Sequence, residues 1–191
     1  MTARTHDVFA FASLITVAAI YPPNSLNLAT LFTSLIGNVV GALIPDMDQA
    51  TNRLWDLLPG GNFVGKIFRR LFLGHRTISH SLLGVFLFYK ILKWVLPKLF
   101  NSAFIDIRIV LISLMIGFIS HLLADSLTKE GLPLFFPFSF KLGMPPISAL
   151  RITTGSWAEN FIVFPGVLVY LVWFVGNNKD QLINVIRLIK N

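Results

Sequence analysis

A histidine and an aspartate stand four residues apart in Gly117-Phe-Ile-Ser-His121-Leu-Leu-Ala-Asp125, inside the end of a long apolar run. On a helix, positions i and i+4 share a face, so the imidazole and the carboxylate point the same way. An Asp at membrane depth costs at least ~2.5–3.5 kcal/mol on insertion scales, so something must offset it. Two arrangements would do so. A divalent metal turns both groups into ligands; a buried His–Asp hydrogen bond ties helices together.

The remaining candidates fall in a few short stretches. Pro45-Asp46-Met47-Asp48 puts two carboxylates two apart at a helix end. They are hard oxygen ligands able to bridge metals, or a turn where Asp is common. Gly74-His75-Arg76-Thr77-Ile78-Ser79-His80-Ser81 carries two histidines five apart. They do not share a helix face, but they converge if His75 precedes a helix capped by Thr77. Arg76 between them suits a bidentate phosphate contact; the plainer alternative is an interfacial basic patch. His6 gains interest only from its neighbourhood. Near the last helix, Arg151 is a candidate charge clamp, and Glu159 a candidate ligand or general base. Ser156 with Glu159 three residues on also reads as a capping box.

These residues need membrane helices to position them. The chain has 191 residues, 54% hydrophobic and 13% charged, with mean hydropathy +0.71. That is too apolar for an ordinary soluble domain and predicts an all-α, polytopic membrane bundle. We expect one domain over residues 1–191, with about four to five membrane helices plus interfacial helices. Cysteine is absent, which excludes disulfides and thiolate metal sites. The net charge of +7 fits contact with anionic lipid, and nucleic-acid binding is not expected, because the basic residues are scattered among apolar ones. The N-terminus lacks the pattern of a cleaved signal. Apolar runs predict helices over residues 8–20, 26–45, 78–96, 105–127 and 161–175. Gly37 and Gly41 allow close packing in the second. Residues 63–73 and the 180–190 tail read as surface helices, and residues 128–158 as a Pro- and Phe-rich loop folded at the interface.

Alternating helices place His6, Asp46, Asp48, His75, His80, His121 and Asp125 on one side of the bilayer. Composition does not require that coincidence, so one shared polar site is the economical reading. Arg4, Arg53, Lys66, Arg69, Arg70, Arg76, Lys129, Lys141 and Arg151, of 16 Lys+Arg in all, lie on that side. The bias points to a cytoplasmic site.

Asp46-Met-Asp48 after Leu-Ile-Pro, then Gly-His75-Arg-Thr-Ile-Ser-His80-Ser, then Ser-His121-Leu-Leu-Ala-Asp125, Gly131 and Pro137, resemble the YdjM-type family. The resemblance covers roughly residues 4–160 in the same order, with Ser79 where the family more often has Thr and Met47 between the aspartates. It implies a bacterial inner-membrane protein of a family described as metal-dependent hydrolases, also as LexA-binding or LexA-regulated. The His-x-x-x-Asp helix is also similar to one in zinc-dependent phospholipase C. The expectation is a metal-dependent hydrolase of phosphoesters in a lipid or lipid-linked substrate. Asp46, Asp48, His75, His80, His121 and Asp125, with His6 beside them, would hold one or two divalent ions, Zn or Mn for a mixed imidazole–carboxylate set. Arg76 and Arg151 would meet the phosphate, and the loop around residues 134–140 the acyl chains. Two other classes are open: a metal or proton transporter, which requires polar groups continuing to the far face, and a non-catalytic membrane regulator with a saturated structural metal.

Overall fold

The computed structural model describes residues 1–48, 77–138 and 140–190; of the terminal residues of two turns, Asp48 and Lys190, only the backbone is described. Predictions at His75, Arg76 and residues 63–73 lie outside the described residues, as does the Asp48 side chain. The described chain is helical, with two isolated β-bridges in its long loop. The helices are α1 (Ala3–Ile20), α2 (Leu28–Leu43), α3 (Leu82–Leu99), α4 (Ile107–Ser126), α5 (Phe164–Asn177) and α6 (Lys179–Arg187).

Among the described residues, four segments are long and apolar enough to cross a membrane: Ala3–Ile20, Leu28–Met47, Ile107–Ser126 and Glu159–Asn177. The expected membrane bundle is therefore present. Helix α3 has 18 residues, but Lys90, Lys93 and Lys98 give it more charge than a lipid-crossing helix ordinarily bears. The amphipathic tail forms α6, as its spacing predicts.

Local chemistry starts α2, α3 and α4. Asn27 caps α2 by accepting from Thr30 N at 2.7 Å. Asp106 caps α4 through the Arg108 and Ile109 N–H groups. Both satisfy donors that would otherwise be orphaned at a helix start. At α3 the expectation needs correcting. The cap is Ser81, whose hydroxyl accepts from Gly84 N at 3.1 Å, and not Thr77. His80 therefore sits in a separate 3-10 turn, Ile78–His80, ahead of the helix. That turn folds so tightly over α3 that a Cβ on Gly84 would meet Ile78 O at 2.0 Å.

Helix α1 begins at Ala3, five residues before its apolar run. Its first turns are polar, and tertiary bonds hold them: the Thr2 and Thr5 hydroxyls donate to Glu159 Oε1 at 2.8 and 2.7 Å. Packing here overrides local hydropathy.

Helices α2 and α4 run parallel and touch backbone to backbone. A Cβ on Gly41 would lie 2.1 Å from Leu114 O, and one on Gly117 would lie 2.0 Å from Asn38 O. Small residues permit this approach, which dispersion and polar contacts stabilise in lipid. Asn38 Nδ2 donates to Ser113 O across the seam at 3.2 Å. Val110, Leu114, Phe118 and Leu122 of α4 belong to one apolar cluster with Leu96 of α3 and Leu132 of the loop. The loop after α4 returns over that end: Leu82 N donates to Leu134 O, and Met144 N to Ser126 O.

Substituting Gly117 by Ala should destabilise the bundle by about 1–3 kcal/mol through overpacking. Gly166→Ala, where nothing lies within 4 Å of the added carbon, should be close to neutral. Thermal unfolding in detergent compares the two directly.

Candidate metal centre

The parallel seam between α2 and α4 sets the register that brings Asp46, in the 3-10 turn Ile44–Asp48 that follows α2, level with the last turns of α4. The turn before α3 adds His80 and the first turns of α1 add His6. Four separate segments thus deliver side chains to one place.

His80 Nε2 lies 3.4 Å from Asp46 Oδ1 and 3.6 Å from Asp125 Oδ2. His121 Nε2 lies 3.7 Å from each of the same two oxygens. Each imidazole faces each carboxylate. His6 Nε2 approaches the other Asp125 oxygen, Oδ1, at 3.2 Å, and its ring stacks on His121 with centroids 3.8 Å apart and planes 8° from parallel. The Met1 amino nitrogen is 2.5 Å from Asp125 Oδ1. His6, His80, His121 and Asp125 are almost wholly buried, whereas the Asp46 side chain is 27% exposed. Among the described residues, Asp46 is the member of the set with access to solvent.

The orientation of the rings is prepared by their second nitrogens. His121 Nδ1 is 2.7 Å from Ala42 O, a carbonyl that only accepts, so Nδ1 carries the proton and Nε2 presents a lone pair to the cluster. His80 Nδ1 pairs with Ser79 Oγ at 3.0 Å. Such outer contacts fix tautomer and ring angle in metal sites. His80 lies outside the spanning helices, and its pKa is raised. Burial opposes its charged form, but the Asp125 and Asp46 carboxylates outweigh burial.

The residues fit a divalent ion. At metal–ligand distances of about 2.0–2.2 Å, two ligands of one ion stand roughly 3.0–3.5 Å apart. The four imidazole–carboxylate separations of 3.4–3.7 Å need to contract by only a few tenths of an ångström. Among the described residues His121 Nε2 is buried without a hydrogen-bond partner, which is expensive unless a cation meets it. Among the described residues, two overlapping sets can hold an ion: Asp46, His80 and His121; and His6, His121 and Asp125.

Two predicted site residues are engaged elsewhere. Glu159 is fully buried, and its carboxylate accepts from Thr2 N, Thr2 Oγ1, Thr5 Oγ1 and Gly155 N at 2.6–2.8 Å. It ties the start of α1 to the last spanning segment, three of the four bonds falling on Oε1 and one on Oε2. It also stands at N3 of the expected cap, with its N–H 3.4 Å from Ser156 Oγ. Arg151 gives Nε and Nη2 to the carbonyls of Pro145 and Pro146, each at 2.7 Å. That guanidinium holds the loop, which argues against its role as a phosphate clamp. Sequence reasoning passed over Ser79 and the Ala42 carbonyl. Adjacency to His80 was the only signal for the first, and the second had none.

A further stripe of polar side chains follows the α2–α4 seam away from the cluster. Thr30, Ser34 and Asn38, four apart on α2, and Ser113 and Ser120 on α4 are all buried. The described members of the expected set, His6, Asp46, His80, His121 and Asp125, lie together at one end, and uncharged polar groups continue along the seam.

The fold and its buried cluster define a helical membrane protein whose His and Asp side chains can hold a metal ion. Comparison with known proteins places it more narrowly. The chain belongs to the YdjM inner membrane protein family, whose pattern matches residues 1–183. It is 31% identical to YvsG of Bacillus subtilis (strain 168) over 163 residues, 85% of this chain and 88% of that protein. It is 29% identical over 173 residues to the inner membrane protein YdjM of Escherichia coli (strain K12) and of Shigella flexneri, covering 91% of this chain and 82% of either relative. No solved structure matches it.

Ser79→Ala should weaken zinc binding by roughly 10–100-fold, the usual effect of losing an outer-shell partner. Glu159→Gln should leave zinc binding unchanged and lower the unfolding temperature. Metal titration and thermal melts on the two purified variants measure both outcomes.

Proposed function

We propose that this protein is a membrane-bound metal-dependent hydrolase acting on a phosphoester of a lipid or lipid-linked substrate, in the bacterial inner membrane, with its site on the cytoplasmic side. The observation that carries this reading is the ring of His80, His121, Asp46 and Asp125, with three members buried and one open to solvent. The Asp46 side chain, 27% exposed, leaves that edge of the ring within reach of water and substrate, as a catalytic centre requires.

His80, His121, Asp46 and Asp125 would hold one divalent ion, Zn or Mn suiting the mixed donor set. When bound, such an ion supplies Lewis-acid chemistry, lowering the pKa of water and polarising a phosphoryl group. His121 has one lone pair to give, so the two overlapping sets cannot each claim it, and a single ion is the simpler arrangement. His6 then acts by holding Asp125 through its other oxygen and by packing against His121. Asp48 and His75 are proposed as neighbours able to complete a second ion site, and Arg76 as the group that neutralises the phosphate. Glu159 and Arg151 serve as structural ties.

The lipid character of the substrate follows from the site's surroundings. Phe135, Phe138 and Phe140 are 47–67% exposed on the loop whose backbone joins the α3 start at Leu82. Exposed aromatics at a membrane–water boundary sit among headgroups and upper acyl chains. The basic residues counted on this side favour an anionic headgroup and a cytoplasmic location.

The buried polar stripe favours a second reading, transport of a metal ion or proton along the α2–α4 seam. Against it, the stripe holds no ionisable group, and the seam is closed by backbone contact at Gly41 and Gly117.

Purified protein loaded with zinc or manganese should release product from a phosphatidyl substrate, and Asp46→Ala and His121→Ala should drop both metal content and turnover to background. Variants that bind metal and turn over like the wild type would remove the assignment. Metal uptake into sealed proteoliposomes, lost in the same variants, would select transport instead.

A further inference from the structure

A second candidate site lies at the far end of the bundle from the His/Asp cluster. The ends of α1 and α5, the starts of α2 and α4, and the amphipathic α6 enclose a cavity of about 830 Å³, within the range of sites that hold small ligands. Its walls are mainly aliphatic and aromatic, with Leu182, Ile183 and Ile186 of α6 forming one side. Three polar features stand out against those walls. Arg108, at the start of α4, and Lys179, at the start of α6, both line the cavity and are exposed. Among the described residues neither has an ion-pair partner within 4 Å. Asp106, the acid at the same end, is engaged in capping α4. Deeper in the wall, Ser34 is 5% exposed, and its hydroxyl has no hydrogen-bond partner among the described residues.

A buried hydroxyl without a partner is unfavourable in an apolar surrounding, and helical serines usually relieve it by bonding to a carbonyl one turn back. Ser34 does not. It lies six residues into α2, about 9 Å below the helix start at 1.5 Å per residue. Cations at the mouth, a polar donor one step below and apolar walls beyond match an amphiphile with an anionic head, an ester carbonyl and hydrocarbon chains. Long basic side chains reach headgroup phosphates readily.

We propose that this cavity binds one anionic acyl-ester lipid, its phosphate at Arg108 and Lys179, its ester carbonyl accepting from Ser34 and its chains along α6. The molecule is a resident ligand on the face away from the metal centre, and the proposal stands independently of the hydrolase reading.

Delipidated protein in detergent, titrated with dioleoylphosphatidylglycerol, dioleoylphosphatidylcholine or oleate and examined by native mass spectrometry, tests this. One phosphatidylglycerol should be retained in preference to phosphatidylcholine. The exposed pair Arg108→Gln and Lys179→Gln together should weaken phosphatidylglycerol roughly ten- to thirty-fold and leave phosphatidylcholine unchanged. Ser34→Ala should weaken both esters and not oleate. Ala18→Phe, which places a ring in the cavity, should abolish retention with the helical circular dichroism intact. Equal retention of the two phospholipids, indifference to Arg108→Gln with Lys179→Gln, or oleate held as tightly as phosphatidylglycerol would each overturn the proposal.

Discussion

A carboxylate removed from water must be met by positive charge or by donors, and Asp125 concentrates that demand. It is buried in a helix apolar enough to cross a membrane, and its surroundings are built around its two oxygens. One oxygen faces His80 and His121; the other faces His6. The helices that supply those rings cannot slide past one another without leaving a buried charge unmet, a change that costs several kcal/mol. The cluster is thus as much a constraint on the bundle as a product of it.

What permits the arrangement is a packing feature with no charge at all. Gly41 and Gly117 let α2 and α4 meet at backbone distance, and their parallel register sets Ala42 beside His121. The Ala42 carbonyl then holds the imidazole proton. The same closeness closes the seam at Gly41 and Gly117, although Asn38 lies along it. Tight packing and buried polarity coexist here because small side chains leave little space to fill and short amides and hydroxyls can bond across it.

Much of this was legible in the sequence. The i, i+4 spacing of His121 and Asp125 put both on one face, and alternating helices carried Asp46, His80 and His6 to the same end. The Gly37–Gly41 pair marked α2 as a close-packing helix. What could not be read was long-range. No local pattern shows that Glu159 will be occupied by Thr2, Thr5 and Gly155, or that Arg151 will be taken up by two proline carbonyls, because those partners are chosen only when the helices dock. The early start of α1 was hidden for the same reason. Its polar first turns look like a tail until Glu159 and Asp125 are there to bond them. At α3, Thr77 and Ser81 were equivalent as caps on paper; the tight turn at Ile78–His80, which Gly84 allows, decided between them.

The bond from Thr2 and Thr5 to Glu159 has an implication for biogenesis. A polypeptide leaves the ribosome from its amino end, so the start of α1 is made before the carboxylate that anchors it, which comes more than 150 residues later. Until the final spanning segment enters the bilayer, the start of α1 lacks the Glu159 tether that Thr2 and Thr5 share. Chain order thus puts that tether last, after every described residue of the cluster has been made.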